Sequence, residues 1–417
     1  MRLPAKINPR WLRAFFSFGS MHAASMLIPL LAFPWLGRVL KPEHFGLLMW
    51  MCLFPPFFTL LVEWGFPLGA ARLAARSRGD EEALRLLLGE VVTAKLMLAL
   101  GGLLASCALL PLLPHASEHP GAFFLAALAG LAKAMSPLWF YQGTGRKLPL
   151  LACWDLSFSL LALALVFIFI RRPEQWSLYL LFIGACRLAA NTGLTLRLWR
   201  RHPFGLMPLG ALRLIRSTAP LFLSIFFSGA YHYCFQLVLG YFLAASEMGI
   251  IVALDKMLRA LVSLLNPFTQ TIFPEICVLR HEDPESAWRI LRLSLAATFV
   301  AASAAAALTW LLAPLAVRVA LGSAYPQAPE ALRIMIFAAP AAACAQVLGS
   351  QILVPFGKDR LQAAICAGVG AASIPLAAAL AYFHGLGGAA FTPVCVECAL
   401  CACYILAALK LEGRKLF

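Results

Sequence analysis

The feature that most constrains this chain is the recurrence of apolar runs of about twenty residues, separated by short loops that carry most of the charge. A hydrocarbon core about 30 Å thick needs roughly 20 apolar residues per helix. Such runs fall near 14–36, 45–68, 88–112, 121–142, 148–170, 176–197, 216–243, 247–274, 288–313, 329–354, 361–383 and 386–409. The chain is 62% hydrophobic and 13% charged over 417 residues, where soluble chains sit nearer 45–50% and 25%. The expectation is an all-α polytopic membrane protein of about twelve transmembrane helices, with no sizeable soluble domain. The first run follows Arg2, Lys6, Arg10 and Arg13 and is longer than a signal-peptide core, so it reads as a retained helix.

The net charge of +15 would suggest nucleic-acid binding in a soluble protein. Here the basic residues separate by side. Counting Lys and Arg loop by loop, 23 fall on the side of the N-terminus, five on the opposite side and six inside spans. Basic loops stay in the cytoplasm, so the split predicts an inner-membrane protein with both termini cytoplasmic, and the nucleic-acid reading falls away. Twelve cysteines lie mostly within apolar runs. The group Cys395, Cys398, Cys401 and Cys403 contains a CxxC but has no neighbouring His, and reads better as helix packing than as a metal site.

Leu36-Gly37-x-x-Leu40 with Phe45-Gly46-Leu47-Leu48 returns 203 residues later as Leu239-Gly240-x-x-Leu243 with Met248-Gly249-Ile250-Ile251. The offset maps the link between spans 1 and 2 onto that between spans 7 and 8. Six spans per repeat insert the same way up. The expected organisation is therefore a six-helix bundle over 1–212 and another over 213–417, related by a pseudo-two-fold axis, V-shaped around a central cavity and suited to alternating access.

The six basic residues within spans are Lys95, Lys133, Arg187, Lys256, Arg259 and Arg333. A charge at the bilayer centre costs roughly 2.5–3.5 kcal/mol, so the deep ones should face a polar cavity or a partner. Lys95 and Arg333 lie nearer span ends, where long side chains can snorkel. The deep set is Lys133, Arg187, Lys256 and Arg259. In span 8, Lys256, Arg259, Ser263, Asn266 and Gln270 share one helix face by their three- and four-residue spacing and read as the wall of an aqueous path. Asp255 is adjacent and could offset one charge. Asn191 follows Arg187 by one turn, and Ser224, Ser228, His232 and Gln236 form a second stripe on span 7. Cations in both halves would attract an anionic solute, phosphate above all. The acids Glu63, Glu90, Asp155, Asp255 and Glu397 are either ion-coupling groups or partners of the buried bases, and His232 adds a titratable candidate.

No phosphate-binding G-x-x-x-x-G-K-[ST] loop, H-E-x-x-H or G-x-S-x-G occurs, and no loop is long enough for a catalytic domain. A transporter is favoured over an enzyme, with no cofactor beyond an ion gradient or membrane potential.

The run Pro29-Leu-Leu-Ala-Phe-Pro-Trp-Leu-Gly-Arg-Val-Leu-Lys-Pro-Glu-His-Phe-Gly46 resembles the opening signature of bacterial O-antigen and capsule lipid-linked oligosaccharide flippases, the polysaccharide transporters of the multidrug/oligosaccharidyl-lipid/polysaccharide exporter superfamily. So do Glu63-Trp-Gly-Phe66, Ala71-Arg-Leu-Ala74, Trp139-Phe-Tyr-Gln-Gly143, Asp255-Lys256, Pro267 to Pro274, Leu321-Gly-Ser-Ala-Tyr325, Leu332-Arg333 and Gly349-Ser-Gln351. Lys41 and His44 depart from the family pattern, which has a glycine and a small or polar residue there. The resemblance implies two helical bundles with a cation-lined cavity, and export of undecaprenyl-diphosphate-linked repeat units. It also implies work alongside other surface-glycan assembly proteins, such as a polymerase and a chain-length regulator. Its rivals are a multidrug antiporter of the same superfamily and a membrane-embedded glycan polymerase or transferase.

The orientation is testable. Single cysteines placed in the 197–216 loop should react with a membrane-impermeant thiol reagent only in permeabilised cells; ready labelling of intact cells overturns it.

Overall fold

The computed structural model describes residues 31–145, 148–265, 283–353 and 358–412, together with Ile272, Ile276 and Leu279. The chain is an all-α polytopic membrane protein, and no strand occurs among the described residues. Its helices are α1 (31–39), α2 (Pro42–Met51), α3 (Phe54–Glu63), α4 (Phe66–Arg76), α5 (Glu81–Leu109), α6 (Pro114–Glu118), α7 (Pro120–Ala134) and α8 (Leu138–Thr144). There follow α9 (Leu148–Phe169), α10 (Leu178–Arg201), α11 (Pro208–Leu239), α12 (Ala245–Ser263), α13 (Pro284–Leu311), α14 (Ala313–Ala320), α15 (Ala328–Met335), α16 (Ala338–Leu348) and α17 (Asp359–Glu412).

Seven helical stretches among the described residues are long and apolar enough to cross a membrane. One of them is two helices in succession, because α17 is broken at Gly385, whose φ of 54° and ψ of −133° a side chain would not tolerate. That break falls between the two last expected spans. The first expected span lies mostly outside the described residues. The eighth departs from expectation in two ways. With Glu247, Asp255, Lys256 and Arg259, α12 is too charged to be counted among the seven, and it closes at Ser263 with a turn over 264–265. Of the polar stripe, Lys256, Arg259 and Ser263 are on this helix; Asn266 and Gln270 lie outside the described residues, as does the side chain of His232.

The chain forms two compact units. One contains Phe54–Phe222, and the other joins Phe33–Leu53 to Leu223–Phe417. In the first, aromatic and aliphatic side chains of α4, α5, α8 and α10 form a core around Phe66, Leu88, Val91, Trp139 and Tyr141. In the second, α13, α16 and α17 enclose Trp288, Leu348, Leu353 and Tyr404.

Within the second unit, α2 packs along α12, and here the sequence repeat acquires a physical meaning. Lys41, before α2, has φ −62° and ψ 155°; Ala244, before α12, has φ −62° and ψ 153°. The two positions are the 203-residue repeat of one another. Gly46 and Gly249, also equivalent, face each other. A Cβ on Gly249 would sit 2.6 Å from the Gly46 Cα, and one on Gly46 would collide with the backbone of Ala245. Two helices can approach this closely only where neither bears a side chain.

Gly249→Val should therefore lower the unfolding midpoint in detergent sharply, by the several kcal/mol of severe overpacking, on the order of 1–3 or more. Gly368→Ala on α17, where nothing lies within 4 Å of the added carbon, should be neutral or stabilising by roughly 0.5–1 kcal/mol. Equal effects of the two substitutions would contradict the close packing.

Candidate functional site

The site in the first unit is built on a broken helix. Pro137 has no N–H to donate, and its ring disfavours helical backbone at Ser136. So α7 stops at Ala134 and the chain restarts as α8 at Leu138. In lipid, the carbonyls released by such a break need protein donors. Lys95 of α5 donates through Nζ to the Ala134 oxygen at 2.7 Å and the Ser136 oxygen at 2.8 Å. Asn191 of α10 donates through Nδ2 to the Ala132 oxygen at 2.7 Å. The ammonium also meets the negative end of the α7 dipole. This corrects the expectation for Lys95, which does not snorkel: it is 4% exposed. Asn191, 5% exposed, is fixed by the same helix end.

Around this cap lie the remaining charges of the unit. Glu63, the last residue of α3, is within electrostatic reach of Lys95 and Lys133. Lys133 is in turn within reach of Glu63, Arg187 and Asp155. Arg187 of α10 is in a direct ion pair with Asp155 of α9. Arg187 and Ser159 also give a polar margin to an otherwise apolar cleft of about 460 Å³ between α9 and α10. The Lys133 side chain is exposed, and it makes no ion pair or hydrogen bond among the described residues. Three basic side chains and two carboxyl groups make up this cluster, and Lys133 is its exposed member.

After Glu63 the chain breaks again. Trp64 adopts left-handed backbone at φ 48°, which costs a residue with a side chain about 1–2 kcal/mol. Its ring stacks on Phe222 at 3.8 Å, and its Nε1 donates to the Ile215 oxygen at 3.1 Å.

In the second unit the charges are more closely compensated. Arg259 donates through Nη1 to Glu397 Oε1 at 2.7 Å, and its Nε lies 3.4 Å from Asp255 Oδ1. Tyr231 donates its hydroxyl to the same Glu397 oxygen at 3.3 Å. Glu397 is 1% and Asp255 4% exposed. The adjacency of Asp255 and Lys256 is thus less important than the one-turn spacing of Asp255 and Arg259, which puts that pair on one face. Ser263 turns its hydroxyl back to the Ala260 oxygen. Lys256 stands 5.7 Å over the ring of Phe33 and is half-buried. Arg333 lies 5.1 Å over Trp310. No group of His, Cys, Asp and Glu among the described residues is arranged to hold a metal ion.

Comparison with known proteins places these features in a family. The family described as polysaccharide biosynthesis protein matches residues 11–278. A protein of Escherichia coli (strain K12) named "Putative O-antigen transporter" is 23% identical over 381 residues, covering 91% of this chain and 92% of its own. One of the same name from Shigella dysenteriae is 23% identical over 94% of this chain and 98% of its own. Among solved structures, the lipid II flippase MurJ in its inward closed conformation superimposes with a TM-score of 0.72 at 11% identity, over 94% of this chain and 87% of that one. An inward-facing multidrug resistance MATE family transporter of the MOP superfamily gives 0.64 at 14% identity, over 93% of this chain and 99% of that one. At these identities the two structures establish a shared fold.

The Arg259–Glu397 pair separates structure from binding. Arg259→Gln leaves a buried carboxylate uncompensated and should destabilise the protein by about 3–5 kcal/mol. The double substitution Arg259→Gln/Glu397→Gln should recover most of that loss. A thermal-shift cycle in detergent measures the coupling, and additive effects would mean that the pair does not hold the helices.

Proposed function

We propose, from the premise that this chain belongs to the polysaccharide biosynthesis protein family, that it is a flippase. Its substrate is an undecaprenyl-diphosphate-linked oligosaccharide repeat unit of O-antigen or capsule type. It moves this unit from the cytoplasmic to the periplasmic leaflet of the bacterial inner membrane by alternating access, with both termini in the cytoplasm. The names of the relatives and the fold shared with a lipid flippase support transport of a glycan on a lipid.

The observation that carries the substrate reading is the contrast between arginines and lysines at membrane depth. Arg187 and Arg259 are held by carboxylates. Lys133 and Lys256 have no ion-pair partner among the described residues. Lys133 in the first unit and Lys256 in the second are thus the ammonium groups outside any ion pair and the candidate contacts for a diphosphate, with Asn191, Arg187 and Arg259 near them, and Asn266 and Gln270 further along the chain. An inside-negative potential favours outward movement of an anion by about 2.3 kcal/mol per charge per 100 mV. The carboxylates Glu63, Asp155, Asp255 and Glu397, with His232, are the groups through which a proton or another ion would couple to this movement. Bond-making chemistry has no part in the reading, so the protein is a transporter rather than an enzyme. A cationic drug would meet an excess of positive charge around Lys133, which disfavours a multidrug antiporter.

Deleting the gene should leave undecaprenyl-linked repeat units accumulating inside the cell. Lys133→Glu and Lys256→Glu should each reduce surface-glycan export at least about tenfold, the loss of about 1.4 kcal/mol of anion binding. Lys133→Arg should retain export, with membrane levels of every variant measured in parallel. Wild-type export from both charge reversals would refute the anion path.

A further inference from the structure

The Trp139-Phe-Tyr-Gln-Gly143 run, part of the family resemblance, is not used by the charges at membrane depth. It forms α8, and with the turn between α4 and α5, the start of α5 and the end of α10 it walls an open pocket within the first unit. Arg78, Arg197 and Arg201 line it, together with Phe140, Tyr141 and Thr144. The pocket lies on the side that the charge distribution assigns to the cytoplasm.

Basic residues on that side are expected for topology alone, and arginines at the end of α10 also suit its dipole. Those effects explain their presence but not their arrangement. Arg78 is pinned, donating from Nε to the Gly143 oxygen at 2.8 Å. The residue two places on, Gly145, ends α8 in left-handed backbone at φ 69°. A Cβ there would come within 3.3 Å of Arg78 Nη2. The glycine thus leaves room for the guanidinium as well as making the turn. Arg197 and Arg201 are one turn apart on the same face of α10, and both act electrostatically on the Tyr141 hydroxyl. Glu81, which also lines the pocket, is engaged by His202, with Nδ1 to Oε2 at 2.7 Å. None of the three arginines forms an ion pair among the described residues. Beneath them Leu84, Phe140 and Leu198 continue into the apolar core.

The geometry points to a binding site for the phosphate of a membrane lipid, separate from the cluster around Lys133. Guanidinium groups bind phosphate oxygens in pairs, and basic pockets between helix ends on the cytoplasmic side suit anionic headgroups. Phosphate of this kind has two sources, the diphosphate of a polyprenyl-linked substrate before translocation and the phosphodiester of a resident phospholipid.

The purified protein in neutral detergent, titrated with defined lipids and read by native mass spectrometry, tests the site. The probes are undecaprenyl diphosphate, phosphatidylglycerol and, as the zwitterionic reference whose phosphate is masked by its own choline cation, phosphatidylcholine. Arg197→Gln/Arg201→Gln should weaken binding of at least one phosphate-exposing probe about tenfold or more and leave phosphatidylcholine unchanged. Loss confined to undecaprenyl diphosphate assigns the pocket to substrate capture; loss confined to phosphatidylglycerol assigns it to a resident lipid. Arg171→Gln/Arg172→Gln, on the opposite side, should change neither. Thr144→Trp fills the pocket while keeping every charge, and it should displace the same probe even if the arginine variant misfolds. Unchanged affinities in both pocket variants, or an equal loss in the Arg171/Arg172 control, would overturn the site. Only the undecaprenyl arm rests on the flippase reading, which the export of the Lys133 and Lys256 variants tests separately.

Discussion

Every carbonyl freed inside a membrane has to find a donor from the protein, and the first unit is organised around one place where this happens. The break at Pro137 exposes the last carbonyls of α7, and side chains from two other helices close them. Lys95 comes from α5 and Asn191 from α10. These bonds fix three helices at one level. They set Glu63, Lys133, Asp155 and Arg187 around that level as a single charge cluster. Lys95 is buried and closes a helix end, whereas Lys133 is exposed and makes no ion pair or hydrogen bond among the described residues.

The two units treat their arginines alike. Each gives an arginine a carboxylate from another helix, Asp155 to Arg187 and Glu397 to Arg259. A guanidinium is always charged and costly to bury alone, so a pairing carboxylate is the least expensive way to keep it at membrane depth. An ammonium on a flexible stem can instead lie over an aromatic ring, as Lys256 does over Phe33, or reach an accessible surface, as Lys133 does. A passing phosphate would have to displace a carboxylate to engage either arginine directly, whereas the lysines present no such barrier.

Several motifs that carry the family resemblance turn out to be places where helices stop or touch. Trp64, between α3 and α4, holds a left-handed backbone in place by stacking and a hydrogen bond. Tyr325 packs its ring on Phe45 and donates to the Gly37 oxygen. Gly143 supplies the carbonyl that pins Arg78. These residues hold helix ends and contacts in place, and their spacing in the chain follows the spacing of those ends.

The helical membrane-spanning character of the chain, the break between the last two helices and the close approach of Gly46 and Gly249 were legible in the sequence, whereas the eighth expected span was not: α12 is shorter and more charged than a simple span. Hydrophobic length and small-residue patterns are local properties, written within one or two helical turns. The Asp255–Arg259 pair was equally local, one helical turn long, yet the expectation set Asp255 against its adjacent charge and not against Arg259. The partners of the other deep charges were not: Asp155 and Arg187 lie 32 residues apart and Arg259 and Glu397 lie 138 apart, and nothing in either segment records the rotation of one helix against another. The same is true of Lys95, whose distance from a span end suggested snorkelling until the end of α7 was seen beside it. Sequence alone determined that this chain crosses the membrane many times carrying basic residues into its depth. Only tertiary packing decided which of those residues are paired with a carboxylate, because an ion pair depends on a few ångströms of separation between helices that the chain order does not specify.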